Sequence, residues 1–120
     1  MQYEVTQTWT ATEADPLRLR AGDPIELEGP ADERDGHRWL RVRSRTGGAG
    51  WVPEALPMPR AGGYVAAVDY TARELTCRAG ERVRALREGH GWAWCEKEDG
   101  TSGWVPLGHL RETRAAYRAH

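Results

Sequence analysis

Several residue types are scarce in this chain, and each scarcity argues against a class of protein. Phenylalanine is absent, and the 120 residues include only two cysteines and no long apolar run. Two cysteines without Cys-x-x-Cys spacing argue against a disulfide scaffold or a zinc module, and the missing apolar run argues against a membrane-spanning helix. The N-terminus lacks the basic and apolar stretches of a secretion signal. We therefore expect a cytoplasmic protein with reduced thiols and no cofactor.

Excess charge of one sign is also missing. The formal net charge is −1, with 8 basic and 10 acidic residues in the first sixty positions and 9 and 8 in the last sixty. Neither half carries the basic excess that drives phosphate binding, which disfavours a nucleic-acid partner. The sequence shows no nucleophile–base pair, no carboxylate pair typical of a cleft and no phosphate-binding glycine loop, so we expect no enzymatic activity.

An internal duplication is the main feature that the sequence does contain. Trp39 and Trp51 are twelve residues apart, as are Trp92 and Trp104, and the second tryptophan of each pair lies in the tetrapeptide Gly-Trp-Val-Pro. The upstream segments at 17–23 and 75–81 are also similar. The spacing indicates two repeats with a period near 55 residues.

Each repeat consists of short, alternating, glycine-punctuated segments, which favours β-strands. About five short strands in about fifty residues predict an all-β fold of two small five-stranded barrels in tandem. We place barrel 1 at 1–58, a Pro/Gly linker at 59–63, barrel 2 at 64–112 and a C-terminal tail at 113–120. The tail is compatible with either a short packed helix or a frayed end.

Four segments of repeat 2 occur in the order that is characteristic of one family. They are Ala66–Tyr70, Glu74–Cys77, Gly91–Trp92 and Gly103–Pro106. In this order they resemble the Src-homology-3 (SH3) family, in its bacterial-type variant form and as a tandem pair. Repeat 1 is similar but more divergent, with Val5–Trp9 at the place of the first motif. The resemblance implies the SH3-like barrel for both repeats.

The resemblance also implies binding of extended, proline-rich peptides in a groove lined by aromatic rings. By position, the groove of repeat 1 would contain Trp9, Trp39 and Pro53. The groove of repeat 2 would contain Tyr70, Trp92 and Pro106, with Glu74 at the place of the acid that pairs with a ligand arginine and His109 at the place of the closing tyrosine.

We therefore expect a non-enzymatic adaptor, monomeric or weakly dimeric, that binds a peptide or a loop of a partner protein, proline-rich or otherwise, and does not bind membranes. Two alternatives stay open at this point. One is a structural tandem barrel whose grooves are occupied by the chain itself. The other is a nucleic-acid-binding SH3-like barrel, for which the stripe Arg41, Arg43 and Arg45 on one strand face is the best support.

Overall fold

β-Strands and one short 3-10 helix form the regular structure of the computed structural model, which describes residues 1–13, 15–46 and 48–113. The expected tail at 113–120 lies outside the described residues apart from Thr113. The elements are β1 (Gln2–Val5), β2 (Arg18–Leu19), β3 (Pro24–Leu27), β4 (Asp32–Arg34), β5 (His37–Ser44), β6 (Ala49–Pro53), β7 (Pro57–Arg60), β8 (Gly63–Ala66), β9 (Tyr70–Thr71), β10 (Arg82–Gly89), β11 (Trp92–Glu96), β12 (Ser102–Pro106), the 3-10 helix (Leu107–His109) and β13 (Leu110–Glu112).

The chain forms two compact units. One unit, which we call the split unit, consists of residues 1–12 together with the described residues from 74 to 113. Its five-stranded antiparallel sheet has the order β12-β11-β10-β1-β13. Strand β1 lies between two strands of repeat 2, since Tyr3 pairs with Val83 on one side and with Glu112 on the other.

The second unit, Glu13–Arg73, is uninterrupted in sequence, and we call it the contiguous unit. Strand β5 pairs with β6, β3 and β4, β3 also pairs with β8, and β8 pairs with β7. A separate two-stranded ladder joins β2 to β9. The contiguous unit has the strand order β6-β5-β3-β8-β7, which corresponds strand by strand to the order β12-β11-β10-β1-β13 of the split unit.

The two units do not coincide with the two sequence repeats, because the repeats exchange their first segments. Strand β1 of repeat 1 completes the sheet built by repeat 2, and β8 of repeat 2 completes the sheet built by repeat 1. The boundaries expected at 58 and 64 therefore mark repeats of sequence, whereas the chain passes between compact units after Thr12 and after Arg73.

The segment expected to be a linker, 59–63, forms part of a hairpin instead. Strands β7 and β8 pair from Pro57 opposite Ala66 to Arg60 opposite Gly63. Ala61 and Gly62 connect them with φ values of 49° and 84°. Positive φ at both central residues is the signature of a type I′ turn, whose twist matches that of the paired strands. A Pro/Gly-rich stretch can thus be a tight hairpin as well as a linker.

The all-β prediction is confirmed, and the expected barrel closure is not found. In the split unit, the strand order ends at β12 and β13, which do not pair with each other among the described residues, so the sheet stays open; β12 has one further bridge, from Trp104 to Glu74. In the part of the contiguous unit that is described, the end strands β4, β6 and β7 likewise leave the sheet open.

Alternation along the strands gives each unit its own apolar core. In β11 and β12 every second residue is buried, as expected for sheets with one packed face. The core of the split unit contains Tyr3, Val5, Leu75, Cys77, Val83, Ala85, Ala93, Cys95 and Val105. The core of the contiguous unit contains Leu17, Leu19, Ile25, Val42, Val52, Leu56 and Ala66. No helix in the described residues is long and apolar enough to cross a membrane.

Candidate functional site

Three aromatic rings lie in a row in the split unit. The Trp9 ring contacts Trp92 on one side, with centroids 5.5 Å apart, and His109 on the other, at 5.2 Å. Both contacts are edge-to-face, with interplanar angles of 81° and 83°. This geometry is favourable for aromatic pairs. All three side chains are half-buried, so the row is one continuous apolar surface that solvent still reaches.

Backbone contacts fix Trp9 in this row. Trp9 and Cys77 exchange two hydrogen bonds of 2.8 Å, which join the segment after β1 to the segment before β10. On the other side, the amide of Thr6 donates to the carbonyl oxygen of His109 at 2.7 Å. The ring of His109 is held as well, because its Nδ1 lies 3.1 Å from the carbonyl oxygen of Gln7.

Pro106 and Glu74 complete this row of rings. Trp92 and Pro106 are register partners on β11 and β12, so their side chains lie on the same face of the sheet. The carboxylate of Glu74 accepts a hydrogen bond from Nε1 of Trp9 at 3.2 Å. We call these five residues, Trp9, Glu74, Trp92, Pro106 and His109, the split-unit groove.

A second, sparser set lies in the contiguous unit. Trp39 and Pro53 are register partners on β5 and β6, in the relation that Trp92 and Pro106 have in the split unit. Tyr70 pairs with Leu19 through the β2–β9 ladder, and its hydroxyl donates to the carbonyl oxygen of Trp51 at 3.4 Å. All three predicted residues of this set are half-buried.

The structure thus corrects the grouping that the resemblance implied. Trp9 was assigned to the groove with Trp39 and Pro53, but it contacts Trp92. Tyr70 was assigned to the groove with Trp92, but it belongs to the unit of Trp39. The cause is the exchange of first segments, because both residues follow the exchanged strands β1 and β8. Each set therefore combines residues from both repeats.

One further aromatic cluster lies outside the predicted site residues. Trp94 and Trp104 face each other across β11 and β12 with centroids 5.3 Å apart, and the guanidinium of Arg87 lies 5.5 Å from both rings. A cation at this distance from an aromatic face is attracted by about 0.5–1 kcal/mol at an exposed site. Trp92 and Trp94 are two residues apart, and residues at this spacing lie on the same face of a strand. This spacing in the sequence could have predicted the extension of the aromatic face.

Two of the three arginines of the stripe, Arg41 and Arg43 on β5, are paired with the carboxylate of Glu28. Nε of Arg43 donates to Glu28 at 2.6 Å, and Arg41 lies 3.7 Å from the same carboxylate. Arg41 also lies 5.9 Å from the ring centroid of Trp51. A stripe that shares a carboxylate offers less positive potential to a phosphate chain, so the main sequence feature that favoured nucleic acid is weakened.

The described residues give little support for metal binding or for reactive thiols. Among the described residues, no three or more histidine, cysteine, aspartate or glutamate side chains are arranged to hold a metal ion. Cys77 and Cys95 are free thiols in the core of the split unit. Cys95 alternates with half-buried residues on β11, and Cys77 lies in the segment before β10.

Comparison with known proteins gives one result. A family model described as the variant SH3 domain matches the chain twice, at residues 3–56 and at residues 64–113. The two matches follow the sequence repeats and cover most of the chain. Searches against the curated proteins and against the solved structures gave no significant match.

Proposed function

The chain belongs to the variant SH3 domain family, and from that premise we propose that it is an adaptor whose split-unit groove binds an extended segment of a partner protein. Domains of this kind are generally protein-interaction modules. The observation that carries the proposal is the row His109–Trp9–Trp92, with Pro106 beside Trp92.

The chemistry of the row favours a proline-containing ligand. Its exposed surface is mainly ring faces and edges and the apolar ring of Pro106, so recognition depends on shape and apolar contact. A polyproline helix presents apolar ridges, has no internal hydrogen bonds to lose and is already extended before it binds. A rigid ligand of this kind loses little conformational entropy when it is bound.

Replacement of Trp92 tests the proposal. We expect Trp92→Ala to weaken binding of proline-rich peptides of about ten residues by at least about tenfold, because truncation of an aromatic anchor in an interface typically costs 2 kcal/mol or more. Trp51→Ala is the matched control, since Trp51 is also a half-buried strand tryptophan but lies on β6 of the contiguous unit. The peptide is first selected from a proline-rich library by its binding to the immobilised chain. Calorimetric titration of the full chain with this peptide then gives the affinities.

Stability must be measured for both variants. Because Trp92 is half-buried, we expect Trp92→Ala to lower the free energy of unfolding by less than about 2 kcal/mol, below the 3–5 typical of a buried tryptophan. Equal peptide affinity in wild type and Trp92→Ala would contradict the proposal. Binding of a single-stranded oligonucleotide in place of peptides would favour the nucleic-acid alternative.

A further inference from the structure

Contacts within the split unit occupy the carboxylate of Glu74. Its Oε1 accepts hydrogen bonds from Nε1 of Trp9 at 3.2 Å, from the backbone amide of Thr12 at 3.0 Å and from the Thr12 hydroxyl at 3.1 Å. Its Oε2 lies 3.1 Å from the same hydroxyl. Both oxygens of the carboxylate are thus engaged by the N-terminal segment.

This engagement leaves little capacity for a ligand arginine. A carboxylate has about four lone-pair sites, and a guanidinium binds best as a fork that uses both oxygens in one plane. Oε1 already accepts three contacts, and Oε2 shares the hydroxyl of Thr12. A ligand arginine would have to displace donors that the fold itself supplies.

The position of Glu74 in the chain explains why the fold uses it in this way. Thr12 is the last residue of the N-terminal segment, and Glu74 is the first residue of the split unit after the chain returns. A further bond at this junction runs from the amide of Ala11 to the Thr76 hydroxyl at 3.0 Å. Glu74 therefore ties the N-terminal segment, and with it Trp9, to the segment that leads into β10.

From these contacts we propose that Glu74 is a positioning residue that holds Trp9 in the split-unit groove, and that this groove binds proline-containing segments without requiring an arginine partner. The proposal rests on the proposed function and names the ligand class of the same site. It reverses the role that the family resemblance implied for Glu74. Recognition then depends on the ring row and not on an ion pair.

Two peptides that differ only in charge test the arginine requirement. Each has the same nonaproline core, flanked at both ends by arginine or by glutamine, and each is titrated into the full chain at low salt, where an exposed ion pair would have its largest effect. We expect the dissociation constants of the arginine and glutamine peptides to agree within about twofold. A preference of tenfold or more for the arginine peptide that disappears in Glu74→Gln would overturn the proposal.

The Glu74→Gln and Thr12→Val variants test the positioning role. We expect Glu74→Gln to weaken binding of the arginine and glutamine peptides by the same factor, because the loss acts through Trp9. Thr12→Val removes the hydroxyl from the carboxylate, and we expect it to introduce a preference for the arginine peptide. Glu98→Gln, which removes an exposed carboxylate from the same unit, is the matched control and should change neither affinity.

Hydrogen exchange separates this proposal from the proposed function. We expect the Trp9 indole N–H and the Thr12 amide to exchange slowly in wild type and faster in Glu74→Gln, while core amides such as that of Cys95 are unchanged. If no peptide binds, the proposed function and the ligand selectivity are both refuted, and the exchange rates still decide the positioning role. Unchanged exchange at Trp9 and Thr12 in Glu74→Gln would refute that role.

Discussion

Cys77 and Cys95 show how burial changes the chemistry of a single residue. Both are 0% exposed, and both belong to the core of the split unit. Loss of solvation raises the pKa of the Cys95 thiol to about 12, and it raises the pKa of Cys77 as well, with a smaller contribution from Glu81. A thiol in this state is a packing group and a poor nucleophile, because the thiolate is the reactive form.

We expect the raised thiol pKa values to make the protein less stable in alkali. The unfolded thiol loses its proton above about pH 8.5 while the folded thiol keeps it, so the unfolded state binds fewer protons and the free energy of unfolding falls as pH rises. The expected loss from Cys95 is about 1–2 kcal/mol between pH 8 and pH 10, and Cys77 adds to it in the same direction. Tyr3, whose pKa the hydrogen bond to Glu88 raises to about 12, adds to the loss above about pH 10.

Urea unfolding at the two pH values measures this effect. Cys95→Ala is the matched variant, because it removes one of the two thiols, and its stability should fall less steeply with pH than that of wild type. Thiol labelling of the native protein should be slow and should become fast in denaturant. A slope unchanged in Cys95→Ala, or rapid labelling of either native thiol, would contradict the interpretation.

At the scale of elements, β12 passes close to the segment that begins at Glu74. A Cβ atom added at Gly103 would come within 2.6 Å of the Glu74 carbonyl carbon and 2.7 Å of the Leu75 nitrogen. The amide of Leu75 donates to the carbonyl oxygen of Trp104 at 3.0 Å, which keeps the two segments together. A side chain at position 103 must therefore push backbone against backbone.

We expect Gly103→Ala to lower the free energy of unfolding by about 1–3 kcal/mol, the range for overpacking in a well-packed site. Gly108→Ala is the control, because a Cβ at Gly108 meets nothing within 4 Å. Gly50→Ala should lie between them, since its Cβ would come 3.1 Å from the side chain of Leu17, which can move more easily than backbone. Equal stability of the Gly103 and Gly108 variants in thermal and urea unfolding would refute the packing argument.

Individual strands and turns could be predicted from the sequence, but one long-range pairing could not. Alternation of polar and apolar residues predicts that Val83 and Ala85 in repeat 2, and Ile25 and Leu27 in repeat 1, face the core. The first three are buried, whereas Leu27, the last residue of β3, is 41% exposed. The candidate site residues could be predicted one by one, since each belongs to a local motif. How these residues assemble into grooves depends on whether β1 or β8 pairs with β10. The sequence does not decide this, because the two strands have similar patterns of polar and apolar residues.

At the scale of the whole molecule, engineered disulfides test the exchange of first strands. Gln2 pairs with Arg84 in the split unit, whereas pairing within repeat 1 would place Gln2 opposite Glu26, the position equivalent to Arg84. Directly opposite residues of antiparallel strands have Cα atoms about 4.5–5.5 Å apart, which a disulfide can bridge. We expect Gln2→Cys/Arg84→Cys to cross-link rapidly on mild oxidation and Gln2→Cys/Glu26→Cys to cross-link slowly.

Peptide mapping by mass spectrometry identifies the bonds formed, and the native core cysteines serve as an internal reference for buried thiols. Rapid cross-linking of position 2 with position 26 would show that each repeat keeps its own first strand. In that case Trp9 would return to the groove of Trp39, and the split-unit groove would lose its central ring.

Along the sequence, the contiguous unit is inserted between the two parts of the split unit, and this sets an order for biosynthesis. Every segment of the contiguous unit leaves the ribosome before the second part of the split unit does, so this unit can fold first. Strand β1, although it is made first, has to wait for Val83 and Glu112, its two neighbours in the sheet. During that interval Val5 and Trp9 are carried on a nascent segment whose two neighbouring strands have not yet been made.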